Sequence, residues 1–263
     1  MTLTLSVDCG GGGIKAAALD DAARLVGEPV RVPTPYPFPT QLFTQVLADV
    51  AAGFPRADRA TVGLPGMVRH GVVVSTPHYV TSNGPSTDVA PHLLAQWSGF
   101  DAHAAVTELL GVPAIVLNDA EVHAAGVVTG SGVEVVLTLG TGLGCGWTDA
   151  GQLSPHLELS QAQVGFGVTV DDYVGELARQ AVGDARWADR VAQVVAMLAP
   201  VLAWDRLFLG GGNASRLPLE EVHGWGPEVT VVANDVALTG GVRAWELGFD
   251  RWGGRDPESR HAV

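Results

Sequence analysis

The stretch Val7-Asp8-Cys9-Gly10-Gly11-Gly12-Gly13-Ile14-Lys15 decides the fold, together with its echo Leu139-Gly140-Thr141-Gly142-Leu143-Gly144-Cys145-Gly146. In each, a glycine cluster joins two apolar, β-like runs. Each therefore reads as a tight hairpin with its backbone exposed. Glycine tolerates the positive φ angles of such turns and lets an anion approach the backbone N–H groups. Between the two lies Asn118-Asp119, directly after the apolar run 114–117. Two such hairpins can hold a phosphate chain. An acidic residue at a nearby strand end can then deprotonate whatever receives the phosphate.

Outward from the first hairpin, segments 3–7, 14–19 and 24–32 read as three consecutive antiparallel strands. A helix over 41–52 follows, then a strand over 60–64 broken by Pro65-Gly66, a short strand over 72–75 and an irregular loop over 77–91. A helix over 102–110 ends at Gly111, and a strand over 114–117 leads to Asn118, placed to cap a helix over 119–128. The pattern then restarts with strands over 134–139, 143–148 and 152–153. Helices over 171–181 and 186–202 follow, then a strand over 206–209 that enters Gly210-Gly211-Gly212-Asn213. A last strand covers 229–232 and a last helix 236–246. A strand–hairpin–strand–strand unit thus occurs twice, each time followed by helices. The expected architecture is α/β, with two lobes and a cleft between them. Residues 1–117 form the N-terminal lobe, to which the last helix, 236–248, is a candidate to return. Residues 118–249 form the C-terminal lobe, and 250–263 a disordered tail.

Composition narrows the function. The chain has 263 residues, 47% hydrophobic and 16% charged, which suits a large folded protein and not a disordered one. No apolar run approaches bilayer length and no leader precedes the first strand, so no membrane partner and a cytoplasmic location are expected. The net charge of −13 disfavours nucleic acid as a partner. Lys15 is the only lysine, and it stands beside the first hairpin. The two cysteines, Cys9 and Cys145, have no metal-ligand spacing, so no structural zinc is expected.

The motifs Asp8-x-Gly-Gly-x-Gly-Ile-Lys15, Asn118-Asp119-Ala120, Gly140-Thr141-Gly142-x-Gly144 and Leu209-Gly210-Gly211-Gly212 stand in register. With them the chain resembles the ROK family of sugar kinases over roughly residues 3 to 248. Its zinc-free polyphosphate/ATP glucokinase branch looks most similar, and the stretch 62–72 supports that branch. The resemblance implies the actin-like ATPase (ribonuclease H-like) fold. It implies a phosphoryl donor held by Asp8, Gly10, Gly11, Gly12 and Lys15 at the first hairpin. Gly140, Thr141 and Gly142 would hold it at the second, with Gly211 and Gly212 by the nucleotide. Asp119 would be the general base, and Asp8 would hold Mg²⁺ through water. On the acceptor side it implies Asn118, Glu158, Gln161 and His78. Here the sequence departs from the family: Gln161 stands where a His is usual, His78 where an Asn is usual, and Gly12 where Thr or Ser is frequent.

The expectation is a cytoplasmic, ATP- and Mg²⁺-dependent kinase of a hexose or related sugar, with sugar and nucleotide as its partners. A polyphosphate-dependent glucokinase and a non-catalytic sugar or nucleotide sensor are the alternatives. A stand-alone repressor is not expected, because only six residues precede Val7. The sequence leaves open whether the chain is a homodimer. It also leaves open whether Asn118-Asp119 is only a helix cap.

Overall fold

Thr4–Cys9 forms strand β1, and Ile14–Leu19 returns antiparallel to it as β2. Val30–Val32, β3, adds an antiparallel edge strand. The strand expected over 24–32 is thus cut to its last three residues. Gly27, at φ +90°, interrupts it, and Leu25 keeps only an isolated bridge to Leu19. Helix α1 covers Thr40–Ala51, and β4 covers Arg59–Leu64. Met67–Arg69 and Val72–Ser75, β5 and β6, form a small hairpin. Helix α2, Pro91–Trp97, starts at the end of the expected irregular loop and begins with a proline, a residue suited to a first helical turn. Helix α3, Ala102–Leu110, is capped by Asp101 and closed by Gly111 in the left-handed conformation. Ala114–Asn118 is β7 and leads without a loop into α4, Asp119–Val127.

The sheet order is β3-β2-β1-β4-β7, with β4 parallel to β1 and β7 parallel to β4. Alternation along each strand sorts the side chains onto two faces. Leu5, Val7 and Cys9 of β1, with Val62 and Leu64 of β4, join Phe43, Leu47 and Val50 of α1 in one buried core. The other face carries Thr4, Ser6 and Asp8 of β1, and Thr61 and Gly63 of β4. These small residues let helices come close.

A second sheet repeats the plan. Val133–Leu139 (β8), Leu143–Asp149 (β9) and Gln152–Leu153 (β10) form an antiparallel meander. A single 3₁₀ turn, Leu159–Gln161, precedes the small hairpin Gln163–Gly165 (β11) and Val168–Thr169 (β12). Helices α5 (Val170–Val174), α6 (Glu176–Val182) and α7 (Asp184–Leu202) follow. Then come β13 (Arg206–Gly210), α8 (Leu219–Val222) and β14 (Val229–Val231). The order β10-β9-β8-β13-β14, with β8, β13 and β14 parallel, matches that of the first sheet strand for strand. Its core gathers Val135, Leu137, Trp187, Val191, Val195 and Leu207. The helix expected over 171–181 is broken at Gly175, for a reason that lies in the second hairpin.

Helix α9, Val236–Glu246, packs on the polar face of the first sheet. Thr61 Oγ1 donates to Gly241 O (2.7 Å), and Trp245 Nε1 donates to Thr61 Oγ1 (3.0 Å). A Cβ at Gly241 would run into Ser6 Oγ, and one at Gly240 into the carbonyl of Val122 in α4. Glycine is required at both places by close approach.

The computed structural model describes residues 1–226, 228–233 and 236–250, so the tail expected over 250–263 lies, from 251 on, outside the described residues. The chain divides into two compact units. One comprises Met1–Gly126 with the described residues from Ala237 onward; the other is Val127–Val236. The division falls at Gly126 and not at Leu117, because α4 packs with the first sheet: the Cα of Asp119 is 3.0 Å from where a Cβ on Gly63 would stand. Among the described residues, no helix is long and apolar enough to cross a membrane.

Candidate active site

In the first unit the Gly10–Gly13 hairpin is closed by Gly10 N–H donating to Gly13 O at 2.9 Å. Hydroxyls from the following loop fix its carbonyls. Thr34 Oγ1 donates to Gly10 O (2.8 Å) and Tyr36 Oη to Gly11 O (2.7 Å). Tyr79 Oη reaches Gly10 O at 3.4 Å. Burial pushes the Tyr36 phenol up to about 12, so it stays a proton donor at neutral pH. With the carbonyls held in this way, the amides of Gly11 and Gly12 make no backbone hydrogen bond among the described residues.

The reason for glycine differs from the expectation. None of Gly10–Gly13 has a positive φ, nor do Gly140 and Gly142. Gly11 is also buried where an exposed backbone was expected, because His78 and Pro85 lie against it. A Cβ at Gly11 would stand 3.0 Å from Pro85 Cγ and 3.2 Å from His78 Cγ. Gly12 is the exposed tip, with nothing within 4 Å of its missing Cβ.

Asp8 and Lys15 are cross-strand partners, and Lys15 Nζ lies 3.5 Å from Asp8 Oδ2. Burial raises the Asp8 carboxyl above its usual range, and Lys15 opposes the shift. Asp8 pairs across the ladder with Gly63, and Gly63 with Leu117. At a strand spacing of about 4.8 Å, Asp8 and Leu117 lie about 10 Å apart. Asp119 follows two residues after Leu117, at the start of α4. Cys9 registers both acids: burial, then Asp8, then Asp119 raise its thiol well above the ordinary value.

The Asn118-Asp119 corner is built by the cap. Asn118 Oδ1 accepts from Ala120 N–H (2.8 Å), while Glu121 Oε2 accepts from Asn118 N–H (3.0 Å), one half of a capping box. Asn118 Nδ2 donates to Gly66 O (2.8 Å). Gly66, at φ +100°, is pressed against Ser75 and Thr76, so this bond ties α4 to the segment that carries His78. Asn118 is 3% exposed and engaged at both ends of its amide. Asp119 is half-buried, and its Oδ1 also accepts from Ala120 N–H (2.9 Å).

In the second unit, Gly140 N–H donates to Gly142 O (3.0 Å) and leaves Thr141 exposed at the tip. Asp171 of α5 supports this hairpin from below. Its Oδ1 accepts from Leu143 N–H at 2.7 Å, and its carboxylate fills the space where a Cβ on Gly142 would be. Burial pushes the Asp171 carboxyl up to about 6; the Leu143 bond works against the shift, and the charges of Glu158 and Asp172 add to it. Gly175 breaks the expected helix because Thr141 O sits there, 2.7 Å from its missing Cβ, and accepts from Glu176 N–H. Gly211, at φ +87°, crosses the Leu139 backbone so closely that a Cβ on it would stand 2.5 Å from Leu139 O. Asn213 Nδ2 donates to both Gly140 O (3.3 Å) and Glu176 Oε2 (2.8 Å), linking the Gly210–Gly212 turn to the hairpin. Arg179, together with Gln180 and Asn213, holds Glu176 down to about 2.

Glu158 is tied into its own turn. Its Oε1 accepts from Ser160 Oγ (2.6 Å), and Gln161 Nε2 donates to the same hydroxyl (3.1 Å). His156, 7% exposed, lies with Nε2 3.6 Å from Glu158 Oε2. An imidazole therefore stands beside Glu158 although position 161 lacks one. Sequence reasoning missed His156, Asp171, Glu176 and the hydroxyls of Thr34 and Tyr36. Of these, His156 had a signal, being two residues before the aligned Glu.

The ROK family model matches residues 4–154. The chain belongs to the ROK family. This ROK chain is 29% identical over 222 residues to a polyphosphate glucokinase of Mycobacterium tuberculosis, covering 80% of this chain and 77% of that protein. Among solved structures it resembles the inorganic polyphosphate/ATP-glucomannokinase of Arthrobacter sp. strain KM. The TM-score there is 0.76 at 25% identity, over 95% of this chain and 99% of the other. A ROK glucokinase of Streptomyces griseus, solved with glucose and AMPPNP, shares the fold. Its TM-score is 0.70 at 20% identity, over 90% and 97% of the two chains. The fold of this ROK chain is the actin-like ATPase fold of that family's sugar kinases.

Proposed function

We infer that this ROK chain is a sugar kinase, a phosphotransferase that moves the γ-phosphoryl group of ATP to a hydroxyl of a hexose. The observation that carries the reading is the Asp8–Gly63–Leu117 register, which sets a glycine hairpin and a capped, half-buried Asp119 at the same end of one sheet, with only β4 between their strands. In the proposed reaction the acceptor oxygen forms a bond to phosphorus as the bond to the ADP oxygen breaks. The hydroxyl proton passes to the Asp119 carboxylate. Asn118 holds Asp119 in place, the Gly11 and Gly12 amides with Lys15 receive phosphate oxygens, and Glu158 accepts from sugar hydroxyls. Gly140–Gly142 would bind phosphate, and Gly211 and Gly212 the nucleotide. His78 and Gln161 would border the acceptor.

Mg²⁺ fits as a cofactor. Among the described residues no group of three or more metal-binding side chains exists. Mg²⁺ in phosphoryl-transfer sites needs no such cage, taking one or two carboxylates with substrate phosphates and water. Asp8 supplies one carboxylate, and its desolvation is the kind a cation offsets. The ion would neutralise charge on the donor phosphates. A polyphosphate donor is the second reading, favoured by the cations beside the first hairpin and by the donors named for the relatives. The test is ADP and sugar-phosphate production from ATP with a panel of hexoses. Turnover with a hexose, abolished by EDTA and restored by Mg²⁺, is expected. Failure of every hexose, alongside a sugar-induced rise in Tm, would point to a sensor.

A further inference from the structure

The register that sets Asp8 beside Lys15 continues one strand further. Lys15 of β2 pairs directly with Arg31 of β3. Directly opposed residues of an antiparallel pair project from the same face, with Cβ atoms about 5 Å apart. Gly63, Asp8, Lys15 and Arg31 therefore form one row on the face that α4 covers at Gly63. Two like charges directly opposed weaken a sheet. Here one of them is the only lysine in a chain of net charge −13. The Arg31 side chain also lies against the first hairpin, its Nε 3.4 Å and its Nη2 3.7 Å from where a Cβ on Gly13 would stand. Arg31 is exposed and β3 is the edge of the sheet, so the row is open at that end.

We propose that Arg31 is a donor-selecting residue: with Lys15 it binds phosphoryl groups beyond those held by the hairpin, which raises the efficiency of linear polyphosphate as a donor without raising that of ATP. The proposal rests on the kinase reading of the same hairpin. A nucleoside triphosphate has no phosphates left to offer at the open end, whereas a polymer continues along it. A guanidinium suits this task because its planar fork takes two phosphate oxygens at once. The acidic background repels a polyanion at long range, so the local pair decides whether one is held.

The test compares the unmodified protein with Arg31→Gln and Arg31→Lys, using ATP and long-chain polyphosphate over a series of salt concentrations. Arg31→Gln is expected to lower the ratio of polyphosphate to ATP kcat/KM about tenfold, mainly through KM for polyphosphate. It should also flatten the salt dependence of that KM, and Arg31→Lys should recover part of the loss. Equal losses with both donors, or no loss with polyphosphate, overturn the proposal. ATP turnover without polyphosphate use or binding overturns it while leaving the kinase reading intact. If neither donor is used, the kinase reading fails. The binding half of the Arg31 proposal then stands or falls on calorimetry with the same long-chain polyphosphate: about tenfold weaker binding to Arg31→Gln supports it, and equal affinity overturns it.

Discussion

At the scale of single residues, the site is made of groups whose neighbours were not adjacent in sequence. Asn118-Asp119 was visible as a pair, but what holds it, Glu121 below and Gly66 across the fold, depends on which turn meets which strand end. Asp171 left no signal at all, because its partner is a backbone N–H 28 residues away. Its environment makes a prediction. The carboxyl is raised from 3.8 to about 6 in the folded chain. Between those values the folded state holds a proton that the unfolded state has lost, so stability falls as pH rises through this window. The penalty is complete above about 6 and amounts to about 3 kcal/mol at most. Asp171→Asn keeps an oxygen for Leu143 N–H but cannot ionise. Denaturant melts of this variant from pH 4 to 8 should lack that part of the decline. A variant whose stability follows the same curve as the unmodified protein would show that Asp171 titrates normally.

At the scale of elements, strands and hairpins were legible because apolar runs and glycine clusters alternate cleanly. The breaks were not. The split of α5 from α6 at Gly175 follows from the position of Thr141 O, and the shortening of β3 from the turn at Gly27. The glycines also sort by cause. Gly240 is fixed by the backbone of α4, whereas Gly12 faces open space with an ordinary φ. Gly240→Ala should therefore cost about 3 kcal/mol or more, since backbone must move to admit a methyl group. Gly12→Thr should change stability by no more than about 0.5 kcal/mol. Paired urea melts of the two variants check this contrast; similar midpoints for both would contradict the packing of α9 on α4.

At the scale of the whole molecule, the duplicated plan was the most legible feature. Five strands in one order occur twice, and each sheet opens with a glycine hairpin between its first two antiparallel strands. The units divide after Gly126 and not at the Asn118 cap, because α4 belongs by packing to the sheet it leaves. The net charge of −13 says nothing about local potential, and the register of β2 with β3 sets two cations side by side. In the proposed mechanism Asp119 takes the acceptor proton. Asp119→Asn preserves size and the oxygen that receives Ala120 N–H, so the fold and the melting curve should be retained. Single-turnover phosphoryl transfer from ATP to the best hexose should then slow by roughly 10²–10⁴, the scale of a lost general base, with sugar affinity nearly unchanged. Transfer at a rate near that of the unmodified protein would mean that Asp119 only caps a helix, and the proposed mechanism would be wrong.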